Sequence, residues 1–454
     1  MNTQTPLVRF KQGYFSLMEK YGKLERPLKL ESLVEGEDYE YTPGGVTAMV
    51  YPLLKKMMDL SLVHKPKWVS LGPNAPPHYT MSNIDFYNVS PEEHDIPLYT
   101  SFKEGVWNEI HGFGKLAVNS DEYEAYARYN WLSAELMLRL LNDVDLFFIH
   151  DFQQLLTGPM LGPSAPTILR WHVPFRLDNV SNELRTLVLK SVEAFDAIIV
   201  STRRDLEGLI HAGYRGRAYQ VYPYVDPTLW EKPTDADIQE TRDYYNISMN
   251  ERLLLVIGRM DKIKSQDLAI MATAKLKHEF PDIRLVLVGN GSFSGSSSGG
   301  LAHPKSSKWK MELVDLVKSL RVEDKVIFTG HAKNNWMRSL YELADCLLIP
   351  SVSEGFNLTT VEGWLYKKPV IVSKGAGSSE LVIDDVNGYT FTGGNVEELT
   401  DRIRKVLHNS ENATKMGANG FDSARQSFVD TAIKKLSDIF NDTLRLYPSK
   451  SHES

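Results

Sequence analysis

The stretch SVSEGFNLTTVEGWLYKKPVIVS, residues 351–373, decides the fold of this chain. It begins where one apolar run ends, CLLIPS at 346–351, and it closes with a second apolar run, KPVIVS at 368–373. The residues between the runs predict a loop and then a helix that begins around Leu358 or Thr359. A strand, a crossover helix and a further strand of these lengths form the repeating unit of a parallel sheet.

The same alternation of short apolar runs and helix-like stretches continues through both halves of the chain. In the first half the clearest strands are predicted at 145–150, 166–172 and 194–202. In the second half they are predicted at 253–259, 284–289, 325–330, 346–351 and 368–373. Each half therefore predicts its own doubly wound α/β domain, and a length of 454 residues also favours two domains.

Prolines and low-complexity sequence mark the expected boundaries. Three prolines interrupt the periodicity between 221 and 237, so we expect a first domain at 1–228 and a second at 229–425. The segment 426–454 reads as an amphipathic helix that packs back on the first domain. The Gly/Ser-rich stretch 289–307 is expected to be a mobile surface loop.

The composition excludes several classes of function. The chain is 42% hydrophobic and 24% charged with a net charge of −7, which gives no basic field for nucleic acid or an anionic membrane. No apolar run approaches the roughly 18 to 20 residues of a membrane span, and the N-terminus lacks the apolar core of a signal peptide. The single cysteine, Cys346, excludes an internal disulfide and suits a reducing compartment. We therefore expect a cytoplasmic protein.

Two glutamates follow the strand that ends near 350. In open parallel sheets, ligands bind at the carboxyl ends of the strands. Glu354 lies in the expected loop and Glu362 about one turn into the helix, so they can contact different parts of one extended ligand. The backbone amides of that first turn are expected to face a phosphate. The structural alternative is that Glu362 only complements the helix dipole.

Two other loops carry features that suit a phosphate. In GRMDKIKSQ, Arg259 and Lys264 follow a strand and open a helix, where two cations can neutralise a departing diphosphate. In YTPGGVTAM, Gly44 and Gly45 precede a helical pattern, where glycine allows close backbone approach to an anion. The alternative for the first loop is a solvated basic loop without a ligand, and the alternative for the double glycine is a plain turn.

The first half places three titratable residues at the ends of strands. His150 and Asp151 end and follow the strand DLFFIH, and His172 ends the next strand, PTILRWH. A histidine in such a position is either a functional group at the ligand edge or a structural hydrogen-bonding residue.

Together these motifs resemble the retaining glycosyltransferases of GT-B fold, over nearly the whole chain. The second half carries R-x4-K, VGNG, EGFNLTTVE and KKPVIVSKGAGSSELV in the order of that family. HDFQQLL, RWHVPF and LYTSFKEGVWNEIHGFG resemble stretches of trehalose-6-phosphate synthases, and the double glycine and HD-x-Q element are shared with trehalose glycosyltransferring synthases. The resemblance implies two Rossmann-like doubly wound domains that face each other across a cleft.

The resemblance also implies a donor site in the second half. It implies that Arg259 and Lys264 bind the donor diphosphate and that Glu354 holds hydroxyls of the donor glucose. Glu362 would hold the ribose hydroxyls. The other implied donor contacts are Gly44, Gly45, Gly289, Phe356, Asn357, Leu358 and Thr359.

On the acceptor side, the resemblance implies that Asp151 orients the acceptor sugar and that Tyr99 and Trp107 bind it. His172 would contact the donor sugar near its 6-hydroxyl, and with Asp151, Arg259, Lys264 and Glu354 it completes the implied catalytic set. One departure is Ser265, which stands where these enzymes usually have glycine.

The implied activity is transfer of glucose, with retention, from a nucleotide-glucose to glucose 6-phosphate, forming α,α-trehalose 6-phosphate. It requires no metal and no cofactor beyond the UDP-, ADP- or GDP-linked co-substrate. The alternatives are free glucose as acceptor, another small acceptor such as glycerol or a phosphorylated polyol, and a nucleotide-sugar sensor that does not catalyse. The sequence leaves the donor nucleotide and the oligomeric state open, a homo-oligomer included.

Overall fold

The protein is described from a computed structural model, which covers residues 1–22, 24–42, 45–289 and 304–447. The chain forms two compact units. The first consists of Met1–Tyr222 together with the chain from Ala432 onward, and the second is Pro223–Thr431. This division falls after residues 222 and 431, whereas the sequence-based domains ended at 228 and 425.

The first unit is built on a large mixed sheet. The strands of this unit are β1 (Asn2–Thr3), β2 (Val8–Phe10), β3 (Leu28–Lys29), β4 (Tyr39–Tyr41), β5 (Lys67–Leu71), β6 (His78–Met81), β7 (Ile84–Val89), β8 (Phe147–His150), β9 (Thr167–Arg170), β10 (Ala197–Val200) and β11 (Arg217–Gln220). The sheet order is β11-β10-β9-β8-β1-β5-β7-β6-β3. Neighbouring strands are parallel except β6 and β7, and β2 and β4 form a separate antiparallel pair.

Helices connect these strands. They are α1 (Tyr14–Tyr21), α2 (Gly45–Asp59), α3 (Asp95–Ile110), α4 (Ser120–Arg139), α5 (Thr157–Leu161), α6 (Asn182–Val192) and α7 (Arg203–His211). The longest, α4, begins where the Asn119 side chain accepts hydrogen bonds from the backbone N–H groups of Asp121 and Glu122. The buried faces of α3, α4 and α6 form one core with strands β8 to β10.

The second unit is a fully parallel sheet covered by helices. Its strands are β12 (Arg252–Ile257), β13 (Ile283–Val288), β14 (Val326–Gly330), β15 (Ala344–Ile349), β16 (Val370–Ser373) and β17 (Tyr389–Phe391), in the order β14-β13-β12-β15-β16-β17. Its helices are α8 (Asp235–Tyr245), α9 (Gln266–Leu276), α10 (Pro304–Ser319), α11 (Asn334–Leu343), α12 (Thr359–Leu365), α13 (Val396–His408) and α14 (Ser410–Ala424). Both faces of the central strands are buried, which is why they read as unbroken apolar runs.

The last helix returns to the first unit, as the sequence predicted. This helix, α15, spans Val429–Leu444, and the chain belongs to the first unit from Ala432 onward. The ring of Phe440 packs edge-on against Phe148 of β8, with centroids 5.2 Å apart. Beyond the helix, the Tyr447 hydroxyl donates to Asp196 Oδ2 at 3.1 Å.

The strands predicted in both halves are confirmed, and one loop prediction is partly wrong. Residues 304–307, predicted as the end of a Gly/Ser-rich loop, are the first turn of α10. Proline suits the first position of a helix, because no partner is needed there for the missing N–H. The rest of that predicted loop, from 290 to 303, lies outside the described residues.

The described ranges contain neither a candidate membrane span nor a candidate metal cluster. None of the helices there combines the length and the apolar character that crossing a membrane requires. Nor do those ranges bring three or more His, Cys, Asp or Glu side chains together in an arrangement that could hold a metal ion.

Candidate functional site

The loop after β12 presents Arg259 and Lys264 at the carboxyl end of the second sheet. The chain makes one 3-10 turn at Lys262–Lys264, in which the Asp261 side chain accepts from the backbone N–H of Ile263 at 3.2 Å. Helix α9 follows. Ser265, which precedes it, has φ 47°, a left-handed conformation that glycine adopts more easily. The turn therefore keeps its shape with serine at this position.

An ion pair joins this loop to the loop after β15. Lys264 Nζ donates to Glu354 Oε1 in a short contact, and Asn357 Nδ2 donates to Glu354 Oε2 at 2.7 Å. The side chains of Lys264 and Glu354 are 14% and 20% exposed. Burial acts to raise the pKa of Glu354, but the Lys264 charge and the hydrogen bonds outweigh it and hold that pKa below its usual value. Glu354 is therefore a carboxylate at neutral pH.

Asn357 organises the turn between the two glutamates. It has φ 87°, and its Oδ1 accepts from the backbone N–H of Thr359, the first residue of α12, at 3.0 Å. The predicted helix start is confirmed, with Leu358 just before it. Phe356 is buried, and its carbonyl accepts from the backbone N–H of Ser378 at 2.8 Å. These bonds fix the direction in which the Glu354 side chain leaves the loop.

Glu362 lies one turn inside α12 and has a partner that sequence reasoning missed. The Tyr341 hydroxyl, from α11, donates to Glu362 Oε2 at 2.5 Å. The Tyr341 ring is stacked on that of Tyr366, with centroids 5.3 Å apart. Burial raises the pKa of Glu362, although the Tyr341 hydrogen bond and the Lys264 charge oppose the rise. No motif marks Tyr341, because it lies on a different helix from Glu362.

Gly289 lies where two loops come together. It has φ 137°, and a Cβ atom built on it would stand 2.0 Å from the carbonyl oxygen of Gly258. Only glycine fits this close approach. Next to Gly258, the Arg259 side chain is 41% exposed, with Nη2 3.9 Å from Asp261 Oδ2. The structure thus gathers Arg259, Lys264, Glu354 and Glu362 at one edge of the second sheet, and Gly289 on the neighbouring strand end.

In the first unit, the structure brings His150, Asp151 and His172 together. His150 is the last residue of β8, and Asp151 follows with φ 70°. The backbone N–H of His172 donates to Asp151 Oδ1 at 3.2 Å, and the two imidazoles are hydrogen-bonded from His150 Nδ1 to His172 Nε2 at 2.9 Å. The three residues therefore form one cluster at the carboxyl ends of β8 and β9.

Burial sets the charges in this cluster. It raises the pKa of Asp151 to about 6, against the lowering effect of backbone N–H donors from His172, Phe152 and Val173. Burial also lowers the pKa of His172 and of His150 well below the usual histidine value, and in both the positive charge of Arg170 adds to the effect. At pH 7 the two imidazoles are neutral and Asp151 is mostly ionised.

The two aromatic residues that were predicted to bind the acceptor, Tyr99 and Trp107, differ in their surroundings. Tyr99 on α3 is 2% exposed, edge-on to the Tyr129 ring at 4.8 Å. Its buried hydroxyl has no hydrogen-bond partner within the part of the chain that the structure describes. Trp107, two turns further along α3, is stacked on His111 with centroids 4.2 Å apart. Gly45 is the first residue of α2, and Gly44 lies outside the described residues.

Comparison with known proteins finds a sequence family that is similar to the second unit. Residues 237–423 match the family described as glycosyl transferases group 1. The fold is GT-B. Solved structures similar to the chain include a trehalose-6-phosphate synthase, with TM-score 0.73, 17% identity and coverage of 89% of this chain and 95% of that one. Another, described as trehalose-6-phosphate from E. coli bound with UDP-2-fluoro glucose, has TM-score 0.73, 16% identity and coverage of 89% and 97%.

Curated relatives carry a different name from the structural neighbours. A D-inositol 3-phosphate glycosyltransferase of Corynebacterium kroppenstedtii is 24% identical over 261 residues, 57% of this chain and 55% of the relative. The enzyme of the same name from Corynebacterium aurimucosum is 25% identical over 366 residues, 80% of each chain. In the first of these alignments, the chain spans about half the length of the relative.

Proposed function

We propose that the protein is a glycosyltransferase that moves a sugar from a nucleotide-sugar donor to a phosphorylated sugar or polyol. The observation that carries this proposal is the joined pair of loops in the second unit, with Lys264 bonded to Glu354 and Arg259 beside them. The family match covers this region, and a structural neighbour is described as binding UDP-2-fluoro glucose.

The donor is proposed to bind along the carboxyl edge of the second sheet. Arg259 and Lys264 take the diphosphate, because two cations within one loop complement two adjacent phosphates. As the phosphate approaches Lys264, Glu354 becomes available to accept from sugar hydroxyls. Glu362 is proposed to accept from the ribose hydroxyls. The close backbone approach at Gly289 leaves that loop without a side chain on the ligand side.

The proposed reaction needs no protein nucleophile. The bond between the anomeric carbon and the β-phosphate oxygen breaks, and the acceptor oxygen bonds to the same face of the sugar. The acceptor's proton passes to the departing phosphate oxygen, so the configuration is retained. Arg259 and Lys264 stabilise the negative charge that develops on the diphosphate, and this is the role a metal would otherwise fill.

The acceptor is proposed to bind in the first unit. The Asp151 carboxylate orients its hydroxyls, and the neutral His172 contacts the donor sugar. The buried hydroxyl of Tyr99 and the partly exposed Trp107 are further acceptor contacts. We favour glucose 6-phosphate as the acceptor, with α,α-trehalose 6-phosphate as the product, because the strand ends HDFQQ and RWHVPF and the segment 98–114 resemble trehalose-6-phosphate synthases.

A second candidate acceptor is D-inositol 3-phosphate, because this compound appears in the name of the two Corynebacterium relatives. This acceptor shares a phosphate and a ring of hydroxyls with glucose 6-phosphate. The same Asp151 and Tyr99 would therefore face it, and only the product distinguishes the two possibilities.

A product assay tests the proposal. UDP-, ADP- and GDP-glucose are each incubated with glucose 6-phosphate, glucose or inositol 3-phosphate, and the products are identified by NMR. An α,α-1,1 linkage to glucose 6-phosphate is the expected result, whereas a glucosyl-inositol phosphate would establish the second acceptor. Saturable binding of nucleotide-glucose without turnover on any acceptor would refute the transferase and favour a nucleotide-sugar sensor.

A further inference from the structure

The second unit has a cavity at the opposite edge of its sheet from the candidate donor site. The cavity measures about 520 Å³ and includes Arg252, Ala344 and Pro369 in its lining. Arg252 and Ala344 are the first residues of β12 and β15, and Pro369 directly precedes β16. The strands are parallel, so their amino ends all face this cavity. A strand of six residues spans about 20 Å, which separates the cavity from the loops that carry Arg259 and Glu354.

The lining is basic. Arg252, Lys367 and Lys368 contribute three positive charges, of which that of Arg252 is ion-paired with Asp282, whereas Asp345 is the only carboxylate among the described lining residues. Asp345 Oδ2 already accepts from the backbone N–H of Leu253 at 2.7 Å. The chain as a whole has more acidic than basic residues, 58 against 51, so this concentration of cations runs against the average composition. A basic recess of this kind concentrates anions from solution.

The cations in the lining keep donors available for a ligand. Arg252 uses Nε for Asp282 at 3.0 Å and Nη1 for the Leu407 carbonyl at 2.9 Å, and its guanidinium lies over the Phe280 ring. Its Nη2 makes no hydrogen bond within the described ranges. Lys368 Nζ donates one hydrogen bond, to the Glu342 carbonyl at 2.7 Å, out of the three that an ammonium can make. Burial lowers the pKa of Lys368, so an anion beside it would favour its charged form.

Helix α14 closes one wall of the cavity. Ser410, Ala413 and Thr414 line it, which places the first turn of a 15-residue helix against the basic residues. Gly417, one turn further along the same face, fixes the helix in place. A Cβ atom there would stand 1.8 Å from the Lys367 carbonyl oxygen. The helix amino end adds partial positive charge to that of the three cations, although the first-turn carboxylate of Glu411 offsets part of it.

We propose that this cavity is a second ligand site, which binds the phosphoryl group of a small phosphorylated metabolite. A phosphate monoester carries about −1.5 to −2 charges at pH 7 and three acceptor oxygens, which suits the guanidinium, the two ammonium groups and the helix end. The volume lies within the range of small-molecule sites, roughly 300 to 1,000 Å³, and exceeds what a lone phosphate ion needs. Val406, Leu407 and Pro369 provide an apolar side for the rest of the ligand.

Binding is measured by calorimetry at constant ionic strength, with inorganic phosphate, glucose 6-phosphate and glucose as probes. All proteins carry Lys264→Ala, so that phosphate binding at the candidate donor site is weakened. In that background we expect saturable binding of both phosphate compounds and none of glucose. Because glucose 6-phosphate is also the proposed acceptor of the first unit, only the part of its binding that a cavity variant removes is assigned to the cavity. If that part is tighter than the binding of phosphate, a sugar phosphate is the ligand, and if the two are equal, the phosphoryl group alone is recognised.

Two variants test the location. Ser410→Glu places a carboxylate at the helix amino end, where the helix tolerates it well, and Lys367→Gln removes one exposed cation. Each is expected to raise the Kd for phosphate about tenfold, which corresponds to about 1.4 kcal/mol. Lys318→Gln, an exposed lysine of α10 outside the cavity, is the matched control and is expected to leave the Kd unchanged.

Two results would overturn the proposal. One is that the Lys264→Ala protein shows no saturable phosphate binding at concentrations up to about 10 mM. The other is that Ser410→Glu and Lys367→Gln bind phosphate as tightly as the Lys318→Gln control. Both results are independent of the proposed glycosyl transfer, because binding is measured with neither donor nor turnover.

Discussion

Replacing Asp151 with asparagine tests the electrostatics of the first unit. Burial raises the pKa of Asp151 from 3.8 to about 6. The folded protein therefore holds this proton more tightly than the unfolded chain, and the group's contribution to stability is lost as pH rises from about 4 to above 6. A difference of about two between the pKa values corresponds to about 3 kcal/mol over the full range.

The effect can be measured over a narrower range of pH. Between pH 7.5 and pH 5 the carboxyl group of folded wild type gains most of its proton, and the linkage gives about 1.4 kcal/mol. Asp151→Asn has no such group, so wild type should gain about 1.4 kcal/mol relative to it at pH 5. The two neighbouring histidines titrate in both proteins and largely cancel in the difference.

The assay is urea unfolding of both proteins at pH 5 and pH 7.5, followed by a probe of the first unit. Glu207→Gln, an exposed carboxylate on α7, is the matched control and should show no such change. The reasoning fails if the difference between wild type and Asp151→Asn is the same at both pH values, because Asp151 would then titrate alike in the folded and unfolded chains. In the proposed reaction, wild type should also lose acceptor kcat/KM below about pH 6, and Asp151→Asn should lack this acidic limb.

Three further predictions concern the second unit. Lys264→Ala is expected to lower kcat by about 10² to 10³ because a leaving-group donor is lost, whereas Lys262→Ala, two residues away and 58% exposed, should retain near-normal turnover in a steady-state assay. Gly289→Ala should destabilise the unit by about 3 kcal/mol or more in urea, since the new Cβ would lie 2.0 Å from a carbonyl oxygen. Gly330→Ala, at φ 67° but with open space around it, should cost about 1 to 2 kcal/mol, and equal losses for the two would contradict the packing argument. Tyr341→Phe should raise the pKa of Glu362 further and cost about 1.5 to 3 kcal/mol, and an unchanged unfolding free energy would argue against the hydrogen bond.

The sequence alone determined the central strands of both sheets and the loops that follow them. Strands such as β12 and β16 are buried on both faces, so each appears as an apolar run that ends at a polar loop. The start of α12 was also readable, because the turn at Asn357 directly precedes a helical pattern. The candidate residues Arg259, Lys264, Glu354 and Glu362 were found by their position after these strands.

Only the tertiary structure decided the rest, because it depends on residues far apart in the chain. Strands β1 and β3 are two residues long and exist through pairing with β5, β8 and β6, which no local pattern reveals. The bond from Tyr341 to Glu362 joins two helices, and the bond from Lys264 to Glu354 joins loops 90 residues apart. The basic cavity gathers residues from the amino ends of three strands and from α14. Local propensity and periodicity act over a few residues, whereas these contacts form only when the sheet aligns its strand ends.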